Sequence, residues 1–378
     1  MEISNRQDLG KVKRLVIKIG SAVLTHTEDK SLDRGVFCRI IEMVAELRNE
    51  GREVIIVTSG AVALGRSVIG CPRPDRQKSL PTLQALAAIG QSLLMDYYED
   101  ELRYYGLRSA QILLTRADLE DRTRFSNVRR ATEALLEMGV IPIINENDAI
   151  TNDQIRFGDN DTLAARMAVM VKADLLAIMS DIDAVYTGNP KLDPDAKRID
   201  CIEAFDRALD AYASDSGSDV GTGGMITKVS AARMAAQMGI ATIILRGKSP
   251  RFLPKALSGG DIGTLLYARE QKQTLHKTWL QSLATRGRIC CDAGAVNAIV
   301  SDGRSLLPKG IIRVEGHFNE GEAVEIADST GFVVAKGLAV YGDTDIRKIA
   351  GHHSKEIVEI LGFHILDVVV HRDDLVLV

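Results

Sequence analysis

Residues 15–19, 54–57, 112–114, 140–144, 175–179 and 240–245 are short, almost unbroken apolar runs. Runs of this kind read as strands buried on both faces, because a strand with one solvated face would alternate. Between them the period changes. Val36, Phe37, Ile40, Ile41, Val44 and Leu47 recur at helical spacing, and Gly51 follows as a C-terminal stop. Residues 129–138, 162–171 and 225–238 also read as helices, and a further helix starts at residue 62. Strands alternating with helices predict an α/β domain with a mostly parallel sheet covered on both faces. The pattern runs to about Ala268.

The texture then changes. Residues 269–288 are polar and basic and hold the only tryptophan, Trp279, which reads as a packing residue between domains. Short β-like runs follow at 288–291, 311–315, 323–327 and 332–341. Asp302-Gly303, Asn319-Glu320-Gly321 and Gly342-Asp343 punctuate them as turns. The expectation is an α/β domain over 1–268, a linker over 269–285 and a small mainly-β domain over 286–378. The chain's 378 residues suit two domains. A hydrophobic fraction of 46% and a charged fraction of 26% exclude a disordered, collagenous or coiled-coil chain. No apolar run approaches the ~18 residues of a membrane span, and the N-terminus lacks a signal-peptide core. The five cysteines are odd in number and form no Cys-x-x-Cys pair, so neither a disulfide framework nor a zinc site is expected. Adjacent Cys290 and Cys291 would point to opposite faces of a strand. A reducing, cytoplasmic location follows as the expectation. A net charge of -4 gives no global bias toward nucleic acid.

Open parallel sheets bind ligands at the C-terminal ends of their strands, so the residues after each run carry the candidate chemistry. Lys18-Ile19-Gly20-Ser21 ends the first run. Thr58-Ser59-Gly60-Ala61 follows the second and opens a helix, where Ser59 reads equally as an N-cap or as part of an anion site. Asn145-Glu146-Asn147-Asp148-Ala149 and Gly158-Asp159-Asn160-Asp161 are dense carboxylate and amide clusters, suited to an amine, a hard cation such as Mg²⁺, or solvated turns. Ser180 and Asp181 end another run. Last comes Val220-Gly221-Thr222-Gly223-Gly224-Met225-Ile226-Thr227-Lys228, a glycine-rich loop opening a helix with a lysine one turn in. Backbone N–H groups, a helix dipole and a point charge together cradle phosphate. The loop has neither the Walker A nor the Rossmann spacing. No G-x-S-x-G elbow and no catalytic-cysteine context is present.

Together Lys18-Ile19-Gly20, Thr58-Ser59-Gly60-Ala61, Leu113 to Asp118, Ile144 to Ala149, Gly158 to Asp161 and Gly221 to Met225 resemble the amino acid kinase family. The resemblance is to the members that phosphorylate the side-chain carboxylate of glutamate as the first step of proline biosynthesis. The later motifs Ser305 to Gly310 and Ile349 to Ser354 resemble the PUA domain that bacterial members append. The resemblance implies an αβα sandwich, use of ATP and Mg²⁺, L-glutamate as acceptor, proline as feedback inhibitor, a homo-oligomer and a cytoplasmic location. Carried onto this chain, it implies that Lys18 and Lys228 hold the phosphoryl group and that Asp161 orients them. Ser59, Gly60, Ala61, Asp148 and Asn160 would bind glutamate. Lys18, Ser180, Asp181, Thr222, Gly223, Gly224, Met225, Ile226, Thr227 and Lys228 would bind ATP. The metal ligands stay unassigned. Ser21-Ala22, Ser180 and Ile226 depart from the family pattern without removing a charged group.

The chemistry is consistent with these residue types. A carboxylate with an ordinary pKa near ~4.3 is already ionised at neutral pH and needs no general base. The difficulty is repulsion between two anions, which lysines, a divalent cation and backbone donors relieve. Sister kinases acting on acetylglutamate, aspartate, carbamate or uridylate are the nearest rival readings. RNA binding through the second domain is a rival of another class, weakened there by acidic stretches such as 319–325 and few aromatics.

Overall fold

The computed structural model describes residues 3–26, 28–70, 79–150, 160–190, 192–214, 224–268, 277, 280–281 and 283–378. Two compact units share the chain, Met1–Lys272 and Gln273–Val378.

Among the described residues the first unit is built on eight strands. They are β1 (Arg14–Ile19), β2 (Glu53–Val57), β3 (Ser109–Leu114), β4 (Ile141–Glu146), β5 (Leu175–Ser180), β6 (Cys201–Glu203), β7 (Ala241–Arg246) and β8 (Thr264–Tyr267). Their order is β3-β4-β2-β1-β5-β7-β8-β6. Every neighbouring pair is parallel except β7 with β8. The helices are α1 (Ser21–Leu24), α2 (Arg34–Asn49), α3 (Ala61–Ile69), α4 (Leu80–Tyr104), α5 (Arg116–Glu120), α6 (Arg122–Glu137), α7 (Asn160–Met170), α8 (Ala208–Ser214), α9 (Met225–Ala236) and α10 (Phe252–Leu257).

Alternate residues of β1 explain the layering. Leu15, Ile17 and Ile19 join one core with Phe37, Ile40 and Val44 of α2 and Leu94 and Tyr98 of α4. The opposite face is covered by α7, which packs against β1 and against α9. The result is the expected mostly parallel sheet between helical layers. From β1 the chain winds first toward β2, β4 and β3, then returns to place β5 on the other side. The switch in winding therefore falls at β1, where a crevice opens at the strand ends.

Local signals set the ends of several elements. Asp33 caps α2 by accepting from the Val36 N–H at 3.0 Å, and Gly51, at φ +81°, ends it. Gly60, at φ +105°, makes the turn from β2 into α3. The 25-residue α4 is the main element that the apolar pattern does not single out. Glycines on both helices bring α3 and α4 close together. A Cβ on Gly90 would stand 1.7 Å from the Ala61 carbonyl oxygen, and one on Gly65 would stand 2.0 Å from that of Leu86. The two helices thus touch backbone to backbone, a contact that leaves no hydrophobic stripe in the sequence.

The second unit holds β9 (Gly287–Cys291), β10 (Ile311–Gly316), β11 (Ala323–Ala327), β12 (Val333–Leu338) and β13 (Leu375–Leu377), in the order β10-β9-β11-β12-β13. Only β9 with β11 is parallel within this sheet. Helices Ala293–Val300, Asp343–Ile349 and Ile357–Leu361 complete it, and Ile289, Val324, Ile326, Tyr341 and Ile346 lie in its own core. Cys290 and Cys291 are both buried. Trp279 and most of the expected linker lie outside the described residues.

Candidate active site

The β1 end carries the centre of the site. Lys18 sits in register with Val57 of β2 and Ile178 of β5, in the middle of the sheet. Its Nζ lies 2.6 Å from Asp161 Oδ1. Asp161 stands in the first turn of α7 and is fully buried. Lys228, one turn into α9, places its Nζ 3.5 Å from the other carboxylate oxygen, Oδ2. Lys228 is 1% exposed and Lys18 6%. Thr227 donates its hydroxyl to Asp161 Oδ2 at 2.9 Å.

Two ammonium groups thus share one carboxylate. Burial pushes the Asp161 carboxyl up, but the charges of Lys18 and Lys228 outweigh it and hold the group below the ordinary value. Burial pulls the Lys228 ammonium below its usual value, against the attraction of Asp161. The ionised trio carries a net charge of +1 at the cavity wall, where Asp181 also acts on Lys228. Such a charge calls for an anion.

The trio borders a cavity of about 520 Å³. Lys18, Ser59, Gly60, Ala61, Asp148, Asn160, Ser180, Asp181 and Lys228 all line it. Strand ends far apart in sequence therefore meet here. Asn160 donates to Ser59 Oγ at 2.6 Å and to the Thr58 carbonyl at 3.1 Å, joining the α7 start to the β2 end. Ser180 donates to Asp181 Oδ1 at 2.8 Å beside the same cavity. Asp148 makes no hydrogen bond or ion pair among the described residues, and burial alone pushes its carboxyl above the ordinary value.

Of the glycine-rich loop the structure describes Gly224 onward. Thr222 and Gly223 lie outside the described residues. The Gly224 carbonyl lies 2.7 Å from Thr227 Oγ1, sharing that hydroxyl with Asp161, and accepts from Lys228 Nζ at 3.4 Å, so it braces the lysine. Met225 is buried and Ile226 exposed, and neither lines the cavity. Ser21 and Ala22 do line it. So do Lys30, Arg66, Asn145 and Glu146, which the motif reading leaves without a role. Asn145 and Glu146 carried a signal, since they abut a buried strand.

Residues 13–246 match the amino acid kinase family, and residues 287–361 match the PUA domain. The chain belongs to the amino acid kinase family. A glutamate 5-kinase of Geobacter sulfurreducens is 46% identical over 97% of this chain and 98% of its own length. One from Carboxydothermus hydrogenoformans is 45% identical over 99% of this chain and 100% of its own. A carbamate kinase from Giardia lamblia bound to AMP-PNP superposes on 69% of this chain with a TM-score of 0.50 and 18% identity. That likeness shows a shared fold. Amino acid kinase membership accounts for the first unit and the PUA match for most of the second.

Among the described residues no group of three or more His, Cys, Asp and Glu is placed to hold a metal ion. Mg²⁺ fits in another way, since it usually keeps several waters and binds through substrate phosphates plus one or two carboxylates. Asp181 is one of the carboxylates that line the cavity outside the lysine trio, with Glu146 and Asp148.

Proposed function

We propose that this chain catalyses ATP-dependent phosphorylation of the side-chain carboxylate of L-glutamate, giving L-glutamyl 5-phosphate, the first step of proline biosynthesis. The observation that carries the reading is the buried trio Lys18–Asp161–Lys228, with its surplus positive charge beside a cavity that also holds the unpaired carboxylate Asp148. A cation pair for a phosphoryl group and an anion for a substrate ammonium stand in one space. The identity to glutamate 5-kinases along nearly the whole chain supports glutamate as the acceptor.

In this reading a glutamate carboxylate oxygen attacks the γ-phosphorus of ATP. The O–Pγ bond forms, the bond from Pγ to the bridging oxygen breaks, and ADP leaves with that oxygen. No proton moves, so no general base is required. Lys18 and Lys228 offset the charge spread over the transferring group, and Asp161 fixes both ammonium positions. Ser59, Asn160 and the Gly60 and Ala61 backbone bind the amino acid, and Asp148 takes its ammonium. Ser180, Asp181 and the 222–228 segment bind the nucleotide. Mg²⁺, held by ATP and Asp181, would neutralise phosphate charge. A cytoplasmic homo-oligomer inhibited by proline completes the reading.

The test is acyl phosphate formation from ATP and Mg²⁺, trapped with hydroxylamine, using L-glutamate, N-acetylglutamate, L-aspartate and carbamate as acceptors. Hydroxamate from L-glutamate alone is expected. Product from another acceptor instead would overturn the pocket assignment, and product from none would overturn the kinase reading.

A further inference from the structure

Behind the larger cavity lies a second, of about 400 Å³, lined by α4, the end of β3 and residues 146–149. The two share Ala61, Glu146 and Asp148 as a common wall. Its polar lining also includes Gln91, Ser92, Asp96, Gln111 and Asn147, and no lysine or arginine among the described residues.

Gln91 is the unusual member. It is 8% exposed, yet its Nε2 has no hydrogen-bond partner among the described residues. Its Oε1 accepts from Asn145 Nδ2 at 2.8 Å. This orientation follows from a backbone group. The Thr58 carbonyl can only accept, so Asn160 must turn Nδ2 toward it. The two hydrogens of that Nδ2 go to the Thr58 carbonyl and Ser59 Oγ, and Asn145 Oδ1 lies 3.4 Å from the same nitrogen, an arrangement that favours Asn145 turning its own Nδ2 to Gln91. Gln91 must then offer Oε1 to Asn145 and keep Nε2 for something else. Three amides are thus set in series by one carbonyl.

A buried amide donor without an acceptor costs roughly 1–3 kcal/mol, and an apolar side chain of similar shape would remove that cost. An acceptor carried by a ligand accounts for the group. Asp148, on the wall common to both cavities, likewise has no partner among the described residues. An unpaired carboxylate and an unpaired amide donor in one small cavity match an ammonium beside a carboxylate.

Resting on the kinase reading above, we propose that the second cavity receives the main-chain end of the amino-acid substrate. Asp148 holds its ammonium and Gln91 Nε2 donates to its α-carboxylate. The side-chain carboxylate then reaches through the shared wall toward Lys18 and Lys228. Gln91 is in this way a substrate-binding residue that also positions Asn145.

The two tasks separate in Gln91→Glu. Its carboxylate still accepts from Asn145 but cannot donate, and it repels an α-carboxylate. L-Isoglutamine carries a neutral α-carboxamide whose N–H groups would suit the new carboxylate. The experiment compares kcat/KM for L-glutamate and L-isoglutamine in wild type and variant, by hydroxamate formation. We expect the ratio to move at least tenfold toward L-isoglutamine. A ratio that stays put, in a variant that melts as wild type does, overturns the assignment of Gln91. Gln91→Met gives a second reading: KM for L-glutamate rises about tenfold while KM for ATP is unchanged. Equal change in both constants would also overturn it. Wild type that forms no hydroxamate from L-glutamate would instead remove the kinase reading itself.

Discussion

Asp148 carries a charge that nothing in the described structure offsets, and burial alone raises its carboxyl above the usual value. Protonation removes the anion that would hold the substrate ammonium. Because the folded pKa is raised, that loss sets in at a higher pH than for an ordinary aspartate. KM for L-glutamate should therefore rise as pH falls through this raised value. In Asp148→Asn, KM should be high throughout and should lose that part of its pH dependence. KM–pH profiles of the two proteins check this, and parallel profiles would contradict it. In the proposed mechanism Lys228 acts at the other end of the substrate. Lys228→Ala should lower kcat by about 10²–10³, the scale for one lost electrostatic donor to a transition state. Near-normal turnover would sink that role. Both residues stood out in the sequence because charged side chains at strand and helix ends are conspicuous. Gln91 did not, because a glutamine inside a helix announces nothing until its partners are known.

Helices α3 and α4 show how an element can matter without carrying chemistry. Ala61 lines both cavities, and its carbonyl oxygen lies against Gly90. A methyl group there meets backbone, which cannot swing aside as a side chain can. Gly90→Ala should cost about 1–3 kcal/mol in stability, the usual scale of overpacking. It should also raise KM for L-glutamate, because the α3 start must shift with Ala61. Thermal melts and steady-state kinetics read the two effects, and a variant that changes neither would argue against the close approach. The turn at Gly60 is a different case. Nothing stands within 4 Å of a Cβ there, so its φ of +105° alone favours glycine.

At the scale of the molecule, each unit has its own core and its own sheet. Every cavity-lining residue named above belongs to the first unit. A chain ending at residue 268 should fold and keep acyl phosphate formation, with kcat within about threefold of the full protein, as expected for separable domains. The full chain should then unfold in two steps. Loss of turnover in a folded fragment would assign the second unit a direct part in catalysis. The match to a PUA domain makes RNA binding worth measuring, and a strongly salt-dependent affinity would be its signature.

The sequence by itself determined what depends on near neighbours. Continuous apolar runs marked β1, β2, β4, β5 and β7, helical spacing marked α2, and Gly60 and Gly51 marked turns. It also placed Lys18, Ser59, Asp148, Asp161 and Lys228 at the ends of elements, where parallel sheets bind ligands. Only the tertiary structure decided which of those ends converge. The winding order puts β1 between β2 and β5, and so brings Asp161 and Lys228, distant along the chain, onto Lys18. It also decided the second cavity and the amide relay from Thr58 to Gln91. Periodicity records the burial of each residue over a few turns, whereas convergence depends on strand order and helix approach over the whole sheet.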